Sequence, residues 1–202
     1  MQLINLLAAT GLASAAVIER GASVKQEYYL KTHVKSGYNR FDNLYLEAYH
    51  TGAGLNDATF NKTTSTAAKG YLANPVYGHS SATYNQQFDL FGYGYQLEVD
   101  FSQVPYSQWQ PVRINAGTHG NETGNSGFHT FLTRDTETLV WDSEPQNSES
   151  ADKSGQLFGG WIVCDWWHGV PQLFVKLYQD TKITLPDTCA EVDLVMEKIS
   201  KK

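Results

Sequence analysis

Beyond residue 25 this chain alternates. From Gln26 to Lys35, Tyr28, Leu30, Thr32 and Val34 interleave with Tyr29, Lys31, His33 and Lys35, and from Leu44 to His50 the apolar Leu44, Leu46 and Ala48 interleave with Tyr45, Glu47 and Tyr49. A period of two sends each set to its own face of an extended strand, so both stretches read as half-buried strands. Residues 36–43 carry Gly37, Asn39, Asp42 and Asn43, a turn composition that joins the two as a hairpin. Further strands are expected at residues 84–91, 93–101, 108–114, 128–133, 138–141, 160–167 and 172–179. Residues 190–199 fit both periods, with Val192, Val195, Met196 and Ile199 at helical spacing and Val192, Leu194 and Met196 at strand spacing. The segment is short and tied through Cys189, which favours a strand. Many short strands without intervening helices predict an all-β chain, with residues 26–200 forming one antiparallel β-sandwich or jelly roll.

The first residues follow a different rule. Leu3–Ile18 is an apolar, Ala-rich run without a charge, too short to span a bilayer and ending in Ala13-Ser14-Ala15. Residues 1–16 therefore read as a secretory signal peptide cleaved after Ala15 or Ala16, and residues 17–25 as a short N-terminal segment in which Arg20 offers a propeptide end. No later segment approaches membrane length, so no membrane contact is expected once the leader is removed.

Secretion sets the meaning of several other residues. Cys164 and Cys189 are the only cysteines. In an oxidising compartment they are expected to pair, closing a loop worth about 3 kcal/mol, and they are too few for a disulfide-dense miniprotein. Asn61-Lys62-Thr63 and Asn121-Glu122-Thr123 match the N-glycosylation acceptor. The formal charge of −6 gives no footing for nucleic acid. Two polar loops are expected at residues 116–127 and 142–155, the second acidic and read as a solvated surface rather than a cation site.

Residues that could carry chemistry are few. On the strand 93–101, Tyr93, Tyr95, Leu97, Val99 and Phe101 share one face, which leaves Gly94, Gln96, Glu98 and Asp100 on the other. Glu98 and Asp100 stand about 6.5–7 Å apart at the backbone, a spacing open to paired glycosidase carboxylates, while the simpler reading is a polar solvent face. The six histidines are scattered singly, and the hydrolase, dinucleotide and phosphate-loop motifs are absent, so no metal and no cofactor is expected. Aromatic residues make up 13% of the chain, and alternation assigns Tyr28, Tyr93, Tyr95 and Phe101 to inner faces. Tyr45 and Tyr49 are left on an outer face. In the strand Gly160–Trp167, Ile162, Cys164 and Trp166 oppose Trp161, Val163, Asp165 and Trp167. Both faces are apolar enough for a strand covered on both sides. The alternative makes Trp161 and Trp167, flanking Asp165, a stacking platform for a sugar ring.

Particular motifs suggest a family. The leader, Tyr28–Thr32, Phe41–Tyr45, Ala48–Ala58, Trp166–Phe174 and Thr188–Ala190 together resemble a family of small secreted fungal proteins built on one domain of unknown function. The resemblance spans the chain after the leader and implies an extracellular, β-rich fungal protein, with no catalytic or binding residue to carry over. In size, secretion, aromatic content and the stretch Gln26–Tyr29 the chain also resembles, more loosely, fungal jelly-roll xylanases and cellulases, but without two Glu in matching strand contexts. The expected role is a non-catalytic extracellular binding protein, directed at cell-wall polysaccharide or a host surface component. The alternatives are a glycoside-active jelly-roll enzyme and a secreted effector or structural wall protein with no small ligand.

Overall fold

A computed structural model describes residues 26–75, 83–100, 108–116, 130–133, 137–142, 158–166, 168–177 and 184–199. The leader, the segment 17–25, Phe101, the Asn121 sequon, Trp167 and nearly all of both polar loops lie outside the described residues. Within them run twelve strands, β1 (Tyr28–Gly37), β2 (Tyr45–Gly52), β3 (Leu55–Asn61), β4 (Lys69–Pro75), β5 (Thr83–Leu90), β6 (Tyr93–Val99), β7 (Trp109–Ala116), β8 (Thr130–Thr133), β9 (Thr138–Asp142), β10 (Phe158–Asp165), β11 (Pro171–Leu177) and β12 (Cys189–Lys198). A single 3-10 turn, Asn39–Phe41, is the only helical element among the described residues.

The sheet closes on itself. Each successive pair in the circuit β1–β2–β3–β7–β6–β5–β8–β9–β12–β1 is hydrogen-bonded and antiparallel, forming a nine-strand barrel. β4 bridges β1 and β5, and the β10–β11 hairpin bridges β12 to β3 and β7. This corrects the expected sandwich or jelly roll. The closing contact joins the first strand to the last, from Tyr28↔Lys198 to Gly37↔Ala190, with a register shift between Val34 and Ser36. Both architectures bury one face of each strand, so alternation is the same in either, and closure additionally removes the exposed sheet edges.

The barrel is filled rather than hollow. Leu30, Leu46, Phe60, Phe88, Leu97, Ile114, Trp161, Leu173 and Leu194, contributed by separate strands, meet in one core. Thr32 sits in the inward stripe of β1 because its hydroxyl is fully used. It donates to the Phe41 carbonyl at 2.5 Å and accepts from the Leu44 N–H at 2.9 Å, fastening the 3-10 turn against the wall. Tyr28, inward as expected, donates to Gln86 Oε1 at 2.5 Å, and burial pushes its phenol pKa up. A smaller cluster of Ile162, Cys164, Phe174 and Cys189 covers the outer side of β10. β10 is thus buried on both faces, and residues 189–198 form a strand.

Candidate functional site

Glu98 is not on a wet face. It is 1% exposed and stands in register with Arg113 of β7, which stands in register with Asp57 of β3, and Asp57 with Tyr49 of β2. Strand register therefore lines up an acid, a base, a second acid and an aromatic on one outer face of the wall. Arg113 pairs with Asp57, and its Nε lies 3.3 Å from Asp100 Oδ2. Gln96 Nε2 donates to one Glu98 oxygen at 3.1 Å and Asn115 Nδ2 to the other at 3.0 Å. Burial lowers the Arg113 pKa, yet a guanidinium stays cationic in proteins, so it serves as the counter-ion of this layer. The expected solvent face is corrected accordingly: its carboxylates are locked into the wall by cross-strand partners, and neither Glu98 nor Asp100 lines the cleft formed further along.

The outer tyrosines divide. Tyr49, the register partner of Asp57, packs its ring 4.8 Å from the His168 imidazole. Tyr45 instead joins a network across β1, β2 and β12, donating to Glu197 Oε1 at 3.0 Å while Lys31 Nζ reaches Glu197 Oε2 at 2.5 Å. The hydrogen bond from Lys31 holds the Glu197 carboxyl below its ordinary range and, reciprocally, raises the Lys31 pKa, and burial followed by the bond to Glu197 raises that of Tyr45. Asn61, at the end of β3, has its Nδ2 3.5 Å from Glu47 Oε2.

The reading of residues 160–167 as a strand covered on both sides fits Trp161, which therefore takes no part in the alternative platform around Asp165. Trp161 is 2% exposed, lies in the barrel core against Phe158, and donates its indole N–H to the Leu139 carbonyl at 2.7 Å. The parity of the strand was read correctly, but the face that carries Trp161 turns inward. Asp165 stays exposed and pairs with Arg40, whose guanidinium lies 5.2 Å from the ring of Tyr38. Tyr38 is 50% exposed, and Trp166, next to Asp165, is 37% exposed with its ring edge on Phe174. Tyr38 and Arg40 fall in the stretch expected only as a turn, and their side-chain chemistry was the available signal.

Beside this group opens a cleft of about 500 Å3, lined by Ser36, Tyr38, Thr184, Asp187, Cys189 and Glu191 among others. The Cys164–Cys189 disulfide, formed as expected between directly opposed residues of β10 and β12, holds one wall. Gly37 forms the other at φ +98, where a Cβ would stand 2.8 Å from the Cys189 carbonyl oxygen, so only glycine lets β1 approach β12 here. The Asp165 N–H donates to the Thr188 carbonyl at 3.1 Å, which joins the ion pair to the cleft wall. The cleft itself offers hydroxyls, carboxylates and the Tyr38 ring, and Tyr38 links it to the Arg40–Asp165 pair outside its lining. No group of three or more His, Cys, Asp or Glu side chains placed to hold a metal ion occurs among the described residues.

A family model described as a domain of unknown function, DUF7907, matches residues 25–198. No curated protein and no solved structure gives a significant match.

Proposed function

The chain belongs to the DUF7907 family of domains of unknown function, so its role must be read from its own surface, and we propose that it is a secreted, non-catalytic fungal protein that binds neutral extracellular polysaccharide along the cleft beside the disulfide. Three features support secretion: the leader pattern at residues 1–16, the acceptor at Asn61, and the disulfide, since disulfides persist in oxidising compartments.

The observation that carries the binding reading is the connected set Tyr38, Arg40, Asp165 and Trp166 at the edge of the cleft. Sugar rings present C–H faces to aromatic side chains and hydroxyls to charged hydrogen-bonding groups. A concave site with apolar walls and a few placed polar groups recognises such a ligand, and a cleft of about 500 Å3 is of ordinary size for one. The ion pair between Arg40 and Asp165 leaves donors and acceptors of both signs available on the two exposed side chains. Affinity electrophoresis through soluble glucan, xylan, mannan and glycol-chitin gels tests the reading. Retardation by at least one polymer is expected, falling at least tenfold in affinity in Tyr38→Ala, Trp166→Ala and Asp165→Asn. No retardation by any polymer, or retardation unchanged in all three variants, defeats it.

A further inference from the structure

The barrel wall has a seam where β1 begins. β1 runs between β12 and β4, in register from Tyr28↔Lys198 on one side and from Tyr28↔Gly70 on the other. On the β12 side the ladder goes one bond further, the Ile199 N–H donating to the Glu27 carbonyl at 3.4 Å. β4 continues to Pro75, yet among the described residues its strand pairing beyond Gly70 is with β5 alone. β4 and β12 therefore stand apart ahead of β1, and between them opens a cavity of about 420 Å3 lined by Gln26, Tyr28, Leu72, Glu137, Met196 and Lys198. Its apolar part comes from Leu72 and Met196, which pack on the core but are only partly buried. Glu137 and Lys198 pair with each other at 2.7 Å, so the charges at the rim are already matched. What this seam lacks is apolar cover and a strand along the edge of β4.

The sequence supplies both in one place. Tyr28 faces inward, and Gln26, two residues earlier, lines the cavity. The same parity brings Val24 and Ala22 to the cavity side and leaves Ser23 and Lys25 on the other side with Glu27. The alternation of β1 thus reaches back to residue 22, apolar toward the cavity and polar away from it. Register agrees with parity. Carried two residues past Tyr28↔Gly70, the ladder sets Gln26 opposite Leu72, and Val24 follows into the space between β4 and β12. Four extended residues cover about 13 Å, enough to line the cavity, and they start from its rim at Gln26. An occupant already joined to the rim forfeits no translational freedom on docking, so it prevails over a separate ligand making equal contacts.

We propose that residues 22–25 dock in this seam as a backward extension of β1, pairing with β4 and seating Val24 and Ala22 against Leu72 and Met196. The N-terminal segment is then a strap that completes the wall rather than a spacer after the leader. A cut after Arg20 leaves the strap in place. The inference is independent of the polysaccharide reading.

Hydrogen exchange and thermal unfolding of the mature chain test it. Amides of residues 23–26 are expected to exchange at least tenfold more slowly than in the unfolded chain. Val24→Asp is expected to lower Tm by about 4 °C or more, whereas Ser23→Asp, which adds the same charge one residue away, shifts it by less than about 1 °C. The apolar dye anilinonaphthalene sulfonate is expected to bind Val24→Asp and not the parent. Unprotected amides at residues 23–26, or equal Tm shifts in the two variants, overturn the proposal. Dye binding to a parent with unprotected amides overturns it in favour of a small apolar ligand. Protection that appears only as protein concentration rises, with a dimer in sedimentation, overturns it in favour of a segment exchanged between two copies. Where Val24→Asp fails to fold, exchange on the parent decides alone.

Discussion

Replacing Trp161 tests where the barrel has its inside. The side chain is 2% exposed, so folding removes nearly all of its surface, about 150–250 Å2, from water. At about 25 cal/mol per Å2 this is roughly 4–6 kcal/mol, an upper bound because the unfolded chain already shields part of it. Cavity-forming replacements of buried Trp or Phe by Ala cost about 3–5 kcal/mol, which overlaps that range below its upper bound. Trp161→Phe keeps most of the apolar contact and forfeits the 2.7 Å bond to the Leu139 carbonyl, for a cost of about 1–2 kcal/mol. Urea unfolding followed by circular dichroism measures both. With an m-value of about 2 kcal/mol/M, Trp161→Ala lowers the midpoint by about 2 M and Trp161→Phe by less than about 1 M, with m unchanged. On the proposed function, folded Trp161→Phe is expected to leave any polysaccharide retardation unchanged. A Trp161→Ala midpoint equivalent to less than about 0.5 kcal/mol of change, the ordinary range for a surface substitution, would refute the inward placement and with it the closed barrel around this strand.

Other parts of the wall give shorter tests. Opening the 25-residue interval with Cys164→Ala/Cys189→Ala costs about 3 kcal/mol in the same unfolding assay, and the two cysteine peptides migrate as one linked species in an unreduced digest. Arg113→Leu leaves Asp57 and Asp100 without their shared cation and costs about 3–5 kcal/mol, far more than its loss of contact area would, and an effect under about 1 kcal/mol contradicts the counter-ion role. Glu197 has a depressed carboxyl pKa, so its contribution is present above the ordinary carboxylate range and is lost as pH falls through the folded value, while the raised Lys31 pKa makes its own contribution full below the ordinary lysine range and lost as pH rises through the folded one. In stability measured against pH, Glu197→Gln therefore flattens the acid limb near and below pH 4–5, by less than about 1 kcal/mol for so exposed a pair; an acid limb identical to that of the parent contradicts the assignment.

Alternation made much of the wall legible. It placed Tyr28, Leu30 and Thr32 of β1 on one buried stripe, marked β10 as apolar on both faces, and favoured a strand over a helix for residues 190–199, where β12 runs. What it could not carry is partnership. Whether residues 28–37 face a second sheet or bond to residues 189–198 depends on a pairing across the whole chain, and the local pattern is the same in both. β3 escaped notice for the opposite reason. Leu55–Asn61 contains Asn56 and Asp57, residues poor in strands, yet Asn56 through Phe60 are all buried. Those polar side chains become tolerable only because distant residues meet them. Arg113 neutralises Asp57, and the Ile114 carbonyl accepts from Asn56 Nδ2 at 2.7 Å.

The site residues follow the same division between parity and partnership. Parity told correctly that Trp161 and Asp165 share a strand face, but a strand that leaves the wall at its end carries Trp161 in the core and Asp165 in solvent along one face. Parity likewise put Tyr93 with Tyr95 and Leu97, and the wall stops one pair short of it. Exposure at strand ends is set by where the neighbouring strand terminates, which no local pattern contains. Phe91 is a different case: alternation takes it as the last residue of the strand 84–91, and only the backbone, at φ +55 in a two-residue loop that favours Asn or Gly, sets it apart. Most positions in this chain obey the preferences of the element they occupy, and agreement of that kind says only that the chain folds. A residue that opposes its element while gaining no burial, as Phe91 does, is accounted for by neither propensity nor packing, and only the structure of the turn reveals it.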